Sequence, residues 1–183
     1  MNDKKDYYAE VHNQIIGWTN NCDTKASIVL AFVGVLVSVA FANDYILDTI
    51  SVQVESILRF WSDGIGEFSV ISTIMFISLG GVLIFMGICF YYAISALKAN
   101  TDCSDDSIIF FGKIAKLSKE TYVDKVTKIT DDEYQQDKLS QIYNCATICN
   151  AKFKYYNKSI GALLKGLLSF VAFIVCVIIL NAL

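Results

Sequence analysis

The chain has 183 residues, 55% of them hydrophobic and 18% charged, with a mean hydropathy of +0.48 and a formal net charge of −3. A soluble domain carries nearer a quarter of its residues as charges; here the apolar excess is gathered into runs, which argues for a membrane protein over a large soluble core. The charge balance argues against a polybasic surface for nucleic acid polymers, and six cysteines without a CxxC spacing argue against a disulfide framework or a zinc ribbon.

The first 25 residues are polar and partly acidic, with no basic segment leading into a short apolar core and cleavage site, so a signal peptide is not expected. Tyr8, Val11, Ile15, Trp18 and Cys22 recur at spacings of three and four, the seam of a helix. That helix runs on into the first apolar run, 26–42, bounded by Lys25 and Asn43. Gly34, Ser38 and Ala42 form a small-residue face of the kind that lets another helix approach closely.

The segment 43–68 holds Asp44, Asp48, Glu55, Asp63 and Glu67 but a single basic residue, Arg59. Leu47, Ile50, Val54, Ile57 and Trp61 form an apolar stripe opposite Asp48, Ser51, Glu55 and Arg59. This predicts an amphipathic helix too polar to span. It either lies on the outer leaflet, with Tyr45 and Trp61 at the interface, or packs on the bundle. A turn at 62–66 leads to the second apolar run, 69–97, which exceeds the roughly 20 residues a span needs and must tilt or extend past the bilayer.

A polar connector follows at 101–107. The apolar stretch 108–115 is too short to span and is expected to anchor a cytosolic core. Ser118 caps a helix through Lys128. Thr130-Asp131-Asp132-Glu133 is a capping box, and no proline or glycine interrupts the chain from there to Gly161. Leu139, Ile142, Ala146, Cys149, Phe153, Tyr156 and Ile160 carry one seam into the third run, 160–183, which has Lys165 about one turn inside it. Proline is absent throughout, so long helices can pass from water into lipid without a forced kink.

All fourteen lysines avoid the acidic loop. Lysine excess marks the cytoplasmic side, so the N-terminus is placed inside, the loop outside, the central segment inside and the C-terminus outside. The expected fold is an all-α membrane protein: three transmembrane helices, two of them extended into a small helical cytosolic module. The divisions are a cytosolic N-terminal helix at 1–25, a span at 26–42, the outer loop at 43–68, a span at 69–97, the cytosolic module at 98–159 and a span at 160–183.

No catalytic constellation is present. There is no phosphate loop and no HExxH, and His12 is the single histidine. Asp105-Asp106 and Asp131-Asp132 fall in a connector and a cap. Cys145 and Cys149 are one helical turn apart and read as packing residues rather than metal ligands. The chain is not expected to be an enzyme or to hold a metal or cofactor.

Two stretches carry a resemblance. One is Trp18-Thr19-Asn20-Asn21-Cys22-Asp23-Thr24-Lys25-Ala26-Ser27. The other is Phe111-Gly112-Lys113-Ile114-Ala115, then Tyr122, then Asp137-Lys138-Leu139-Ser140-Gln141-Ile142-Tyr143, with Lys152 beyond. Their order and their places relative to three apolar runs resemble the Pycsar transmembrane effector family of bacterial anti-phage proteins. The likeness covers most of 18–42 and 111–164; the acidic loop and second run match only in character, and Cys22 stands where the family has a small residue. The resemblance implies an inner-membrane effector that answers a cyclic pyrimidine mononucleotide, cUMP or cCMP, made by a partner cyclase. It then impairs the membrane and arrests or kills the infected cell, most simply as a homo-oligomer.

A cyclic nucleotide presents a singly charged phosphate, a 2′-hydroxyl and a flat base, and needs a cation or amide donors, an aromatic platform and an edge-reading amide. The candidate ligand-binding residues are accordingly Lys25, Lys113 and Lys152 for phosphate, Trp18, Phe111, Tyr122 and Tyr143 for stacking, Gln141 for the base edge and Asp23 for ribose. Each has a plainer reading. Lys25 snorkels at the span boundary, Lys113 and Lys152 are solvated surface, the aromatics fill core or interface, Gln141 pairs two helices, and Asp23 pairs with a lysine or caps the membrane helix. Two other functions fit the same pattern: an adaptor using Trp18 and Phe153 as partner surfaces, and a channel subunit. Against the channel, the spans hold no charge deeper than Lys165.

Overall fold

The computed structural model describes residues 2–63, 69–98 and 107–182. Most of the expected turn at 62–66 and of the connector at 101–107, with Cys103 and Asp105-Asp106, lies outside the described residues. Among those described there are six α-helices and no strand: α1 (Asn2–Phe41), α2 (Asp44–Asp63), α3 (Val70–Leu97), α4 (Phe111–Ile114), α5 (Lys119–Lys128) and α6 (Asp131–Ala182). The all-α expectation holds, and α1, α3 and α6 are each long and apolar enough to cross a membrane. With no proline to break them, α1 runs for 40 residues and α6 for 52.

The chain divides into two compact units. One comprises Met1–Lys25 and Ala96–Lys154, the other Ala26–Ser95 and Tyr155–Leu183. The second unit contains the apolar runs and has two cores. In one, Val29 and Val33 of α1 meet Met86, Cys89 and Ala93 of α3 and Ala162 of α6. In the other, Ile46 of α2 and Met75 of α3 pack on Phe173, Cys176 and Val177 of α6. Lipid tails are as apolar as these side chains, so close packing and side-chain hydrogen bonds, rather than escape from water, hold such helices together.

Helices α3 and α6 approach closely at two glycines. A Cβ added at Gly81 would lie 2.8 Å from Ser169 Oγ, and one at Gly166 would lie 2.9 Å from Met86 Cε. The face of Gly34, Ser38 and Ala42 is not used this way. All three are exposed, and nothing lies within 4 Å of a Cβ built at Gly34. Small residues permit contact on either face; the partner side chains decide which is taken.

Helix α2 starts where Asn43 Oδ1 accepts the Tyr45 N–H at 3.1 Å, an N-cap with Asp44 in the first turn. Its buried edge is rotated from the stripe read in the sequence. Ile46 and Thr49 are buried and Ile50 packs beside them, while Leu47, Val54, Leu58 and Trp61 remain exposed. Two hydrogen bonds fasten that edge. Ser72 of α3 donates to Gln53 Oε1 at 2.6 Å, and Asn181 Nδ2 of α6 donates to Thr49 Oγ1 at 2.8 Å. Of the two placements offered by the sequence, packing on the bundle is met along this edge, and the other edge stays open.

At the other end of this unit, Lys158 Nζ lies 5.2 Å from the centroid of Tyr92, which stacks on Tyr155 at 6.3 Å. Lys165 Nζ sits 5.8 Å from the Phe85 ring. Tyrosine and lysine at this level suit a membrane–water boundary, and the ring faces give Lys165 a partner inside it.

Candidate functional site

The first unit holds all nine candidate residues. Its short elements are fastened locally. Ser118 accepts the Thr121 N–H at 3.2 Å and caps α5. At the start of α6, Thr130 Oγ1 accepts the Glu133 N–H at 3.3 Å and Glu133 Oε2 accepts the Thr130 N–H at 2.9 Å, the reciprocal pair expected of a capping box.

The Glu120 carboxyl is held below the usual glutamate range by its own backbone N–H and by the Ser118 hydroxyl. A depressed carboxylate stabilises the fold above its unfolded pKa and loses that contribution as pH falls through the folded value. Protection of the first-turn amides of α5, measured relative to their intrinsic exchange at each pH, should therefore fall on acidification below the ordinary glutamate range and be unchanged between neutral and mildly acidic pH. Glu120→Gln should abolish that step.

The segment before α4 is tied to α6. Ile108 N–H donates to Asp137 Oδ2 at 3.0 Å, and the buried Ser107 accepts the N–H groups of Ile109 and Phe110 at 3.2 and 3.0 Å. These bonds set the start of the Phe111–Ile114 turn that carries Lys113. Asp137→Ala removes a charged acceptor and should weaken protection of 107–111 by about 1–2 kcal/mol, read by hydrogen exchange.

Two contacts join α1 to α6 within this unit. His12 Nε2 lies 3.9 Å from Cys145 Sγ. Further along both helices, Lys152 Nζ donates to Asp23 Oδ1 at 2.6 Å. Among the described residues Lys152 is the one charged side chain that is buried, at 8% exposure; the Asp23 side chain keeps 36%. Burial pushes the neighbouring Cys22 thiol up, with Asp23 adding to the shift and Lys152 and Lys25 opposing it. Lys25 itself is exposed, as is Trp18 at 57%. Seven residues apart on α1, Trp18 and Lys25 share one helix face.

The other five candidates lie elsewhere. Gln141 is buried; Phe111 and Tyr143 are largely exposed, with Phe111 tilted against Phe110 at 4.9 Å; Lys113 and Tyr122 are half-buried. Eleven residues of α6 separate Gln141 from Lys152, about 16 Å of helix rise. The Asp23–Lys152 pair and Gln141 thus stand about 16 Å apart along α6, while Trp18 and Lys25 lie on a different face of α1 from Asp23.

Three residues escaped the sequence reading. His12 was noted as the lone histidine but not as a partner of Cys145. Ser107 had no signal beyond lying at the end of a polar connector. Gln135 Oε1 is buried without a hydrogen-bond partner, and nothing in the local pattern distinguishes it from Gln136.

Three long apolar helices joined to a polar helical unit define an α-helical membrane protein. The Pycsar effector protein domain matches residues 7–180, nearly the whole chain. The chain is 30% identical over 165 residues to the Pycsar effector protein GmPycTM of Gulbenkiania mobilis, a match that covers 84% of this chain and 83% of that one. It belongs to the Pycsar effector family, and so to the membrane effectors of antiviral defence rather than to a known enzyme family. No solved structure matches it.

Proposed function

We propose that the protein senses a cyclic pyrimidine mononucleotide, cUMP or cCMP, through the unit built from Met1–Lys25 and Ala96–Lys154, and answers by impairing the bacterial inner membrane. The observation that carries this reading is the family match over residues 7–180. In this reading the N-terminus and the sensing unit face the cytosol, the C-terminus faces outward, a partner cyclase supplies the ligand, and the chain performs no chemistry of its own.

Helix continuity supports the coupling. α1 and α6 each contribute one stretch to the polar unit and one to the apolar unit without a break. Ligand binding shifts an equilibrium only by its differential affinity for the two arrangements. A nucleotide that favours one pairing of α1 with α6 in the sensing unit thereby favours one disposition of the spans. Three spans enclose no wide pore, so a response through a pore requires several copies.

The test is direct. Full-length protein in liposomes loaded with a self-quenched dye should leak on addition of cUMP or cCMP and stay tight without it, with matching binding by calorimetry. Binding of neither nucleotide would remove the sensing function, and leakage independent of ligand would remove the gating.

A further inference from the structure

A lysine withdrawn from water and held by a carboxylate restricts what can replace that carboxylate. Lys152 is buried and its ammonium lies 2.6 Å from Asp23 Oδ1. Removing Asp23 from it without substitution leaves a buried charge uncompensated, which is strongly unfavourable. Any ligand that takes Lys152 must therefore bring a negative charge as Asp23 leaves. Asp23, already partly exposed, has water to turn to when it is displaced.

We propose, resting on the nucleotide-sensing reading above, that Asp23 is not a ligand contact but an internal competitor. The ligand's phosphate exchanges with it on Lys152, and the exchange selects a monoanionic phosphodiester over a monophosphate. A cyclic 3′,5′-phosphodiester carries one negative charge and substitutes for the carboxylate charge for charge. A phosphomonoester carries about −1.5 to −2 at neutral pH. It would leave excess negative charge where burial makes such charge costly. Lys25 is close enough to act on Cys22 but is itself exposed, and water screens it from balancing that excess.

The pair also joins α1 to α6 in this unit, alongside the His12–Cys145 contact, so the exchange that admits the ligand loosens that pairing. Sensing and release are then a single event, and the resting state is closed to the open-chain nucleotides of ordinary metabolism by charge count rather than by shape.

The experiment measures binding of cUMP, cCMP, 5′-UMP and 5′-CMP to full-length protein in nanodiscs, for the wild type and two variants. Wild type should prefer the cyclic forms. Asp23→Asn removes the competitor and should bind the preferred cyclic nucleotide at least about ten-fold more tightly. The paired replacement Asp23→Leu with Lys152→Met keeps the helices packed without charge; it should retain the wild-type helical content by circular dichroism and lose binding. Weaker or unchanged binding by a folded Asp23→Asn protein would overturn the competitor role. Wild-type-like binding by the paired variant would overturn the role of Lys152, and decides the matter should Asp23→Asn not fold. Equal affinity of wild type for 5′-UMP and cUMP would overturn the charge selection. Wild type that binds neither cyclic nucleotide overturns the sensing function itself, a result distinct from all of these.

Discussion

Reversing the charge at Lys152 (Lys152→Glu) is expected to separate α1 from α6 in the polar unit. Two carboxylates would then face each other where one ammonium now sits 2.6 Å from Asp23 Oδ1 at a buried position. Breaking one side of a buried pair costs about 3–5 kcal/mol. Because Asp23 keeps 36% of its side chain exposed, water relieves part of that, and a loss of about 2–3 kcal/mol is the reasonable expectation. Limited proteolysis of the polar unit in detergent should show cleavage within α1 ahead of Lys25. The reciprocal replacement Asp23→Lys, added to Lys152→Glu, should restore most of the protection because the pair is re-formed with its ends exchanged. A double variant no better than the single would mean that the pair adds nothing to the pairing of these helices.

Gly81→Leu is expected to have the second large effect, in the other unit. A Cβ there already lies 2.8 Å from Ser169 Oγ and 3.2 Å from Ser169 Cβ, so a branched side chain cannot be admitted without moving α3 off α6. In lipid this contact is not replaced by a hydrophobic gain elsewhere, since separated helices simply meet acyl chains. The neighbouring core of Val29, Val33, Met86, Cys89, Ala93 and Ala162 depends on the same α3–α6 crossing. Cysteine cross-linking across the crossing should fail in Gly81→Leu, and ligand-dependent leakage should fail with it. Gly80→Leu is the control. No neighbour lies within 4 Å of a Cβ at Gly80, so the crossing should survive there.

The long helices were legible because their cause is local. Absence of proline, seams at spacings of three and four, and a Thr130–Glu133 capping box are all visible without knowing what packs against what, and α1, α5 and α6 follow them closely. The rotation of α2 was not legible. A helix between protein and lipid meets apolar surroundings on both sides, so an apolar stripe does not say which side faces the bundle; Thr49 and Gln53 on the inner edge do, and their meaning lies in Asn181 and Ser72 on other helices. The small-residue face Gly34/Ser38/Ala42 failed for a related reason, because close approach is decided by the partner and the partners Ser169 and Met86 meet Gly81 and Gly166. Within the candidate site, Asp23 and Lys152 could each be singled out from the sequence. That they neutralise each other across 129 residues could not, since no periodicity connects α1 to α6.

The three apolar stretches differ in length. The part of α1 beyond Lys25 comprises 16 residues to Phe41, about 24 Å of helix, whereas the 28 residues of α3 extend about 42 Å. A hydrocarbon layer of about 30 Å is too thick for the first and too thin for the second. A bilayer that thinned around α1 while α3 leaned over would pay a fraction of a kcal/mol for each ångström of mismatch. On the proposed function, elastic deformation of the surrounding lipid would then enter the balance between states, and membrane thickness would act beside the nucleotide: short-chain lipids relax the mismatch at α1, long-chain lipids relax it at α3, and the threshold for response should move with acyl length.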